Sequence, residues 1–421
     1  MKKSPTFKLD LGRYDYAAYA AFAVYAASSL VIPISLVAMG QDLNFPMDKG
    51  GMGLAGILHL TRSVAMVAAL LGCGFVAGKY GKRYPMGISV LLMGIGIFFC
   101  AFVPSYWFLQ PLLLIARLGE GTCEGLATPF VEAMHTEAPE RYVNISHSFW
   151  SVGIGVCVLA GGALLSCGVS WRYILAGTGV LAILTTLLFL WKEKPAKKYP
   201  EEKVVSNPGD VWRYTVDIAK QPRFWLYCAG MFMGAGAEFC LTFWAATFLQ
   251  LSFNATAWMA GLGTAAIALG MFFGRNFFGF IARENNLPII LISASLGTIP
   301  LTLSLSLIRA EYFSSAGWMF AALLFILFLC GIGIAPYWPT LQVYGVKRLP
   351  KQDTTMLYIY FSAIGIPGCG FFTWLIGFLG DHFGLKGAFY MIPVTLLLYA
   401  SIILFDRILV AKEKRSDQKK L

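Results

Sequence analysis

About twelve apolar runs, most of them 20 residues or longer, succeed one another along the chain at approximately 15–39, 54–78, 84–103, 106–134, 143–167, 170–191, 223–250, 255–282, 287–308, 315–345, 355–380 and 386–410. At roughly 1.5 Å per residue each run is long enough to cross about 30 Å of hydrocarbon as a helix, and too long for the tilted strands of a barrel. Backbone N–H and C=O groups find no water in that layer, so a crossing segment must satisfy them internally. Composition agrees: 57% of residues are hydrophobic and 13% charged, against about a quarter charged in soluble domains. The chain is read as an all-α polytopic membrane protein with twelve transmembrane helices and the lipid bilayer as its solvent.

A formal charge of +11 raises the question of nucleic acid, but the charges are placed otherwise. Lys and Arg gather near the N-terminus, in alternate loops and in the tail around Lys412-Glu413-Lys414-Arg415, while the opposite loops hold Lys49, Arg172, Arg309 and Lys386. This is the positive-inside pattern. It predicts both termini on the cytoplasmic side of a cell's inner (cytoplasmic) membrane and no nucleic-acid partner. The Ala-rich stretch after Lys2-Lys3 is about twice the length of a signal-peptide core, so it is read as a retained first helix. All nine cysteines lie in or at the ends of apolar runs without Cys-x-x-Cys or metal spacing, so neither a disulfide frame nor a metal site is expected. No cofactor is expected.

The one long polar interval falls near Lys192–Pro222 and divides the spans six and six. Residues 1–192 and 223–421 are therefore expected to form two six-helix halves, with 193–222 as a cytoplasmic linker. An internal repeat supports the division: Gly74-Phe75-Val76-Ala77-Gly78 is echoed by Gly279-Phe280-Ile281-Ala282-Arg283, Pro129 by Pro339, Gly56 by Gly261 and Gly155 by Gly365, at separations near 205–210. A duplicated six-helix unit predicts a pseudo-two-fold axis along the membrane normal, a central cavity and alternating access by rocking of the halves. Within the linker, Asp210–Ile218 is mildly amphipathic and suits either an irregular connection or a helix on the membrane surface.

Ionisable side chains inside the spans carry the functional expectations, because burying them in hydrocarbon is costly unless they line a cavity or pair. In the fourth span Arg117, Glu120 and Glu124 recur at i, i+3 and i+7, nearly one helix face. Arg117 and Glu120 read as an internal salt bridge and Glu124 as the cavity carboxylate. His59 and Arg62 share a face of the second span, with Arg62 assigned to an anionic solute or to pairing with an acid such as Glu238. Trp150, Trp244 and Trp338 stand near polar positions, where an aromatic face suits a sugar ring. The alternative for each is core packing.

Gly74, Gly78, Gly81, Lys82 and Arg83 fall where the signature Gly-x-Leu-Ala-Asp-Arg-x-Gly-Arg-Arg of the major facilitator superfamily would, with Gly78 at its acidic position; a further echo, Gly377-Phe378-Leu379-Gly380-Asp381, keeps the acid. The chain resembles that superfamily, whose loop braces the two halves in one access state. Glu124-x-x-x-Thr128-Pro129-Phe130 with Asn144-x-x-His147-x-Phe149-x-Ser151-x-Gly153 is similar to the fucose permease family of sugar/proton symporters. That resemblance implies Glu124 as the protonatable group, with Glu238 and His147 as further proton-coupling candidates. It implies Asn144 and His147 as hydrogen-bonding solute-binding candidates, which Trp150, Trp244, Trp338 and Arg62 join on the residue chemistry above, Trp150 standing where the family carries a polar amide. The family's first-helix aspartate is absent, Ser28 and Ser29 standing at comparable depth. The resulting expectation is a monomeric secondary transporter of a small polar solute, a sugar or polyol, driven by proton symport. The alternative is a proton-coupled exporter or a carrier of organic anions. No reactive cluster, Gly-x-Ser-x-Gly or phosphate-binding loop is present, so an enzyme or ATP-driven pump is not expected.

Overall fold

The computed structural model describes residues 11–135, 139–191, 208–283, 285–352 and 354–418. It is built of helices: α1 (Arg13–Asp42), α2 (Met52–Tyr80), α3 (Arg83–Cys100), α4 (Tyr106–Met134), α5 (Pro139–Ser166), α6 (Trp171–Leu190), α7 (Pro208–Ala219), α8 (Pro222–Phe253), α9 (Ala257–Ile281), α10 (Leu287–Leu307), α11 (Ala316–Ile334), α12 (Pro339–Arg348), α13 (Thr354–Ala388) and α14 (Met391–Gln418). Among the described residues, eleven helical segments are long and apolar enough to cross a membrane. The twelfth crossing is α4, which has the length but carries Arg117, Glu120 and Glu124.

Local chemistry sets the ends. Ser170, Thr256 and Ser315 cap α6, α9 and α11 by accepting from Arg172, Met259 and Trp318 backbone N–H groups, each satisfying one orphan donor of a helix start. Pro222 opens α8 at the position where a missing N–H costs nothing, and Asn254 closes it in the left-handed region at φ 51°. The tenth span, expected as one helix over 315–345, is two. Pro336 and Pro339 withhold two N–H donors within four residues, and the chain turns between α11 and α12 before continuing. In the linker, α7 is a helix of 12 residues with Trp212 exposed and Ile218 buried, and Thr215 bonds Tyr360 of α13.

Helices α1–α6 and α8–α14 form two bundles joined along two seams, α2 against α13 and α5 against α9. Successive crossings alternate in direction, so the start of α1, α7 and the end of α14 share one face, here the terminal face, and the loops at 43–51, 254–256 and 308–315 lie on the distal face. The seams are tightest toward the distal face, where glycines let backbones touch. A methyl group on Gly56 would stand 2.7 Å from Trp374 Cα, and one on Gly261 would stand 2.5 Å from the Val158 carbonyl oxygen. Those two glycines are partners in the internal repeat, and each lies on the seam its half contributes. Gly377 against Met52 and Gly162 against Ala257 extend the same closure.

Candidate functional site

A cavity of about 80 Å³ lies between the bundles, lined by Phe22, Tyr25, His59, Arg62, Ser63, Met66, Glu124, His147, Trp150, Glu238, Phe239, Arg275, Trp338, Ile366 and Cys369. Most of these residues sit at the middle of their helices or on the terminal side of it, so the cavity begins where the distal seams end. Ser63 Oγ donates to the Ile366 carbonyl at 3.0 Å and ties α2 to α13 at cavity level.

Behind the N-terminal wall is a buried ion cluster. Glu120, with no exposed side-chain surface, accepts from Arg62 Nε at 2.8 Å, from Arg117 Nη1, and from Ser28 Oγ at 2.7 Å. Arg62 also donates from Nη2 to Ser29 Oγ at 2.5 Å and lies 3.4 Å from His59 Nδ1. One carboxylate thus serves two guanidiniums in a setting where any of the three alone would be costly to bury. The Arg117–Glu120 pairing follows from their spacing. The partner of Arg62 differs from the acid named in the sequence reading: it is Glu120, because α2 and α4 pack side by side within one half, whereas Glu238 belongs to the other half and pairs with Arg275 of α9. Arg62 is thus paired with Glu120 and also lines the cavity.

Glu124, one turn beyond Glu120, is in a different situation. Among the described residues no guanidinium lies within ion-pair distance of it; its polar neighbour is the Tyr25 hydroxyl, and its side chain is partly open to the cavity. Tyr25 packs edge-on against Trp150 with centroids 4.4 Å apart. His147 bonds Thr128 Oγ1 at 2.8 Å and leans on Phe22, so α4 and α5 hold Glu124, His147 and Trp150 as one wall. Opposite, Glu238 accepts from Arg275 Nη2 at 3.2 Å, and Trp338 reaches the cavity from the break before α12.

Of the residues singled out in the sequence, the cavity collects Arg62, Glu124, His147, Trp150, Glu238 and Trp338. Trp244 is not among them. It is fully buried, and its indole donates to the Thr373 carbonyl at 2.9 Å. Six residues after Glu238 on the same helix, it is turned by about 240° at 100° per residue and faces α13 instead of the cavity. Asn144 is carried by α5, and its side chain lies outside the described residues. Arg275, Phe22, Tyr25 and Phe239 were not singled out. Arg275 sits six residues before the end of α9, where a lone arginine in an apolar run reads as a boundary charge of the positive-inside kind.

The glycine loop is also resolved. Gly81 has φ 77°, a conformation that suits only glycine. Lys82 Nζ donates to the Pro129 carbonyl at 3.0 Å, and buried Arg83 donates to Tyr14 Oη and to the Phe189 carbonyl, both at 3.3 Å. These bonds tie α3 to α1, α4 and α6 within the N-terminal half. The echo that kept its acid bonds across the halves: Asp381 of α13 accepts from the Met52 and Gly53 backbone N–H groups at 2.9 and 2.7 Å and so caps α2 from the opposite bundle.

Residues 17–369 match the Major Facilitator Superfamily. Among curated proteins, the chain is 24% identical over 260 residues to the Na(+), Li(+), K(+)/H(+) antiporter of Planococcus maritimus, covering 58% of this chain and 60% of that protein. It is 29% identical over 136 residues to organic cation/carnitine transporter 7 of Arabidopsis thaliana, covering 31% of this chain and 27% of that one. The chain thus spans less than two thirds of either curated relative. The fold matches the crystal structure of a D-xylose-proton symporter with a TM-score of 0.72 at 12% identity, over 93% of this chain and 96% of that one. It matches a variant of the E. coli fucose:proton symporter with a TM-score of 0.63 at 16% identity, over 93% and 98%. With a superfamily match running from α1 into α13 and the two-bundle fold to accompany it, the chain belongs to the major facilitator superfamily of transporters, which are not enzymes.

Proposed function

We propose that the chain imports a small polar solute of the sugar or polyol class together with protons, by rocking of residues 1–192 against 223–421 across the linker 193–222. The observation that carries this reading is Glu124: a carboxylate inside the membrane, open to a cavity and with no ion pair among the described residues, beside His147 and a wall of aromatic rings. Glu120 is engaged by two arginines and a serine hydroxyl. Glu124, with a tyrosine hydroxyl beside it, can take and release a proton as the cavity changes its access to water. The aromatic faces of Trp150 and Trp338 suit the C–H faces of a sugar ring, with Glu124 and His147 for hydroxyls. With Trp244 outside the cavity, that recognition rests on two tryptophans rather than three.

The proposed orientation places the termini in the cytoplasm, which makes the distal closure an outer gate and this conformation one that faces inward. The organic-anion alternative would draw on Arg62, whose charge is already matched by Glu120. A second reading, exchange of a cation for protons, is favoured by the antiporter relative and by the same feature, a free carboxylate among aromatic rings. Purified protein in proteoliposomes separates the two. Solute entering by symport carries protons inward and acidifies the lumen, whereas a cation entering by antiport drives protons out. A thermal-shift screen over monosaccharides, polyols, amines and sugar acids identifies the solute to use.

A further inference from the structure

We propose that Arg275, in its pair with Glu238, is the solute-selecting element of the C-terminal half and reads two neighbouring hydroxyls of the cargo. The inference rests on the sugar or polyol reading above and adds to it a residue and a stereochemical requirement.

The pair is single-pronged. Arg275 Nη2 meets Glu238 Oε1 at 3.2 Å, while Glu238 Oε2 and Arg275 Nε are both buried with no hydrogen-bond partner among the described residues. Glu238 is 5% exposed, and both residues line the cavity. An ion pair whose task was only to pin α8 to α9 gains most by turning its two oxygens onto the guanidinium fork, since parallel bonds satisfy both partners. Here one acceptor and one donor are left over beside the cavity, and leaving such groups unmade is costly in a buried setting. A ligand that supplies both complements at once removes that cost. A hydroxyl donates and accepts, so two adjacent hydroxyls meet the requirement: one donates to Glu238 Oε2 and the other accepts from Arg275 Nε. An isolated ammonium satisfies only the acid, and an isolated carboxylate only the arginine.

The opposite wall complements this division. Glu124, His147 and Trp150 belong to the N-terminal half, so a cargo held at both walls bridges the bundles. Arg275 and Glu238 then set which cargo closes the gap, while Glu124 handles the proton.

The test uses the full chain in nanodiscs, with ligand affinity read by tryptophan fluorescence, since Trp150 and Trp338 face the cavity. Hexoses, pentoses and hexitols are screened on the parent protein, and the tightest ligand is compared with each of its monodeoxy analogues. The expected pattern is a loss of about tenfold to a hundredfold for removal of either of two adjacent hydroxyls, the cost of a buried group left unpaired. In Arg275→Gln that pattern should flatten, parent sugar and the two analogues binding within about threefold of one another. The exchange Glu238→Arg with Arg275→Glu keeps the pair but moves donor and acceptor. It should restore thermal stability without restoring the deoxy pattern.

An unchanged deoxy pattern in Arg275→Gln, or full recovery of selectivity in the exchanged pair, overturns the proposal and leaves the sugar reading standing. Binding of amines or sugar acids with no response to any neutral polyol overturns both.

Discussion

Two glutamates one helical turn apart on α4 are predicted to respond oppositely to the same substitution. Glu120→Gln removes the charge that two guanidiniums share: Arg62 at 2.8 Å and Arg117, with side chains only 2% and 4% exposed. Breaking a buried ion pair by removing one partner costs about 3–5 kcal/mol, and here one acid serves two bases, so the upper part of that range applies. Glu124→Gln breaks no ion pair and should change stability by less than about 1 kcal/mol, in the range of ordinary substitutions away from such networks. The difference, on the order of a hundredfold or more in the folded-to-unfolded ratio, is measurable by titrating each variant from mixed micelles with a denaturing detergent. A second substitution sharpens the test. Arg117→Met in the Glu120→Gln background removes one of the two stranded charges and should recover part of the loss, a coupling that independent sites do not show. Equal stability of Glu120→Gln and the parent protein, or a larger loss in Glu124→Gln, would refute the division of roles drawn from the ion cluster.

Asp381→Asn weakens the cap that α13 places on α2 and should open the distal face by a factor of about five to thirty in population, from charged hydrogen bonds of about 1–2 kcal/mol to be made up. The distance between spin labels at Asp48 and Tyr312 should lengthen, and no change would show that the cap does not hold the seam. Trp244→Phe loses the bond to Thr373 and should lower thermal stability with ligand affinity unchanged, whereas Trp338→Phe should lower affinity; reversed effects would place Trp244 at the solute. Cysteines introduced at Lys2 and Lys419 should be shielded from impermeant thiol reagents in intact cells, and labelling from outside would invert the proposed orientation.

How much of this was legible in the sequence divides along the range of the interactions involved. The spans were legible because length and hydropathy act within one segment, and the Arg117–Glu120 pair because both sit on one helix at i, i+3. The broken tenth span was missed although Pro336 and Pro339 were in view, since a twenty-residue apolar stretch hides a break that prolines force only in its last third. The partners of Arg62 and Glu238 depend on which helices pack side by side, 58 and 37 residues away along the chain, and no local pattern encodes that choice. Ser28 and Ser29 stood out only as the place where an aspartate was absent. In the structure they bond Glu120 and Arg62, which gives the first helix a part in the ion cluster. Trp244 shows the opposite failure. Nearness in sequence to Glu238 suggested the cavity, and helical rotation sent it elsewhere.

The central claim is that Glu124 couples solute movement to protons, and the most direct measurement compares two modes of transport in one variant. In proteoliposomes with an imposed pH gradient, parent protein should concentrate the solute found by the screen. Glu124→Gln should fail to concentrate it while still exchanging labelled for unlabelled solute at equal concentration, because the amide keeps the cavity's shape but cannot cycle a proton. Gradient-driven accumulation by Glu124→Gln at the parent's level would contradict the account.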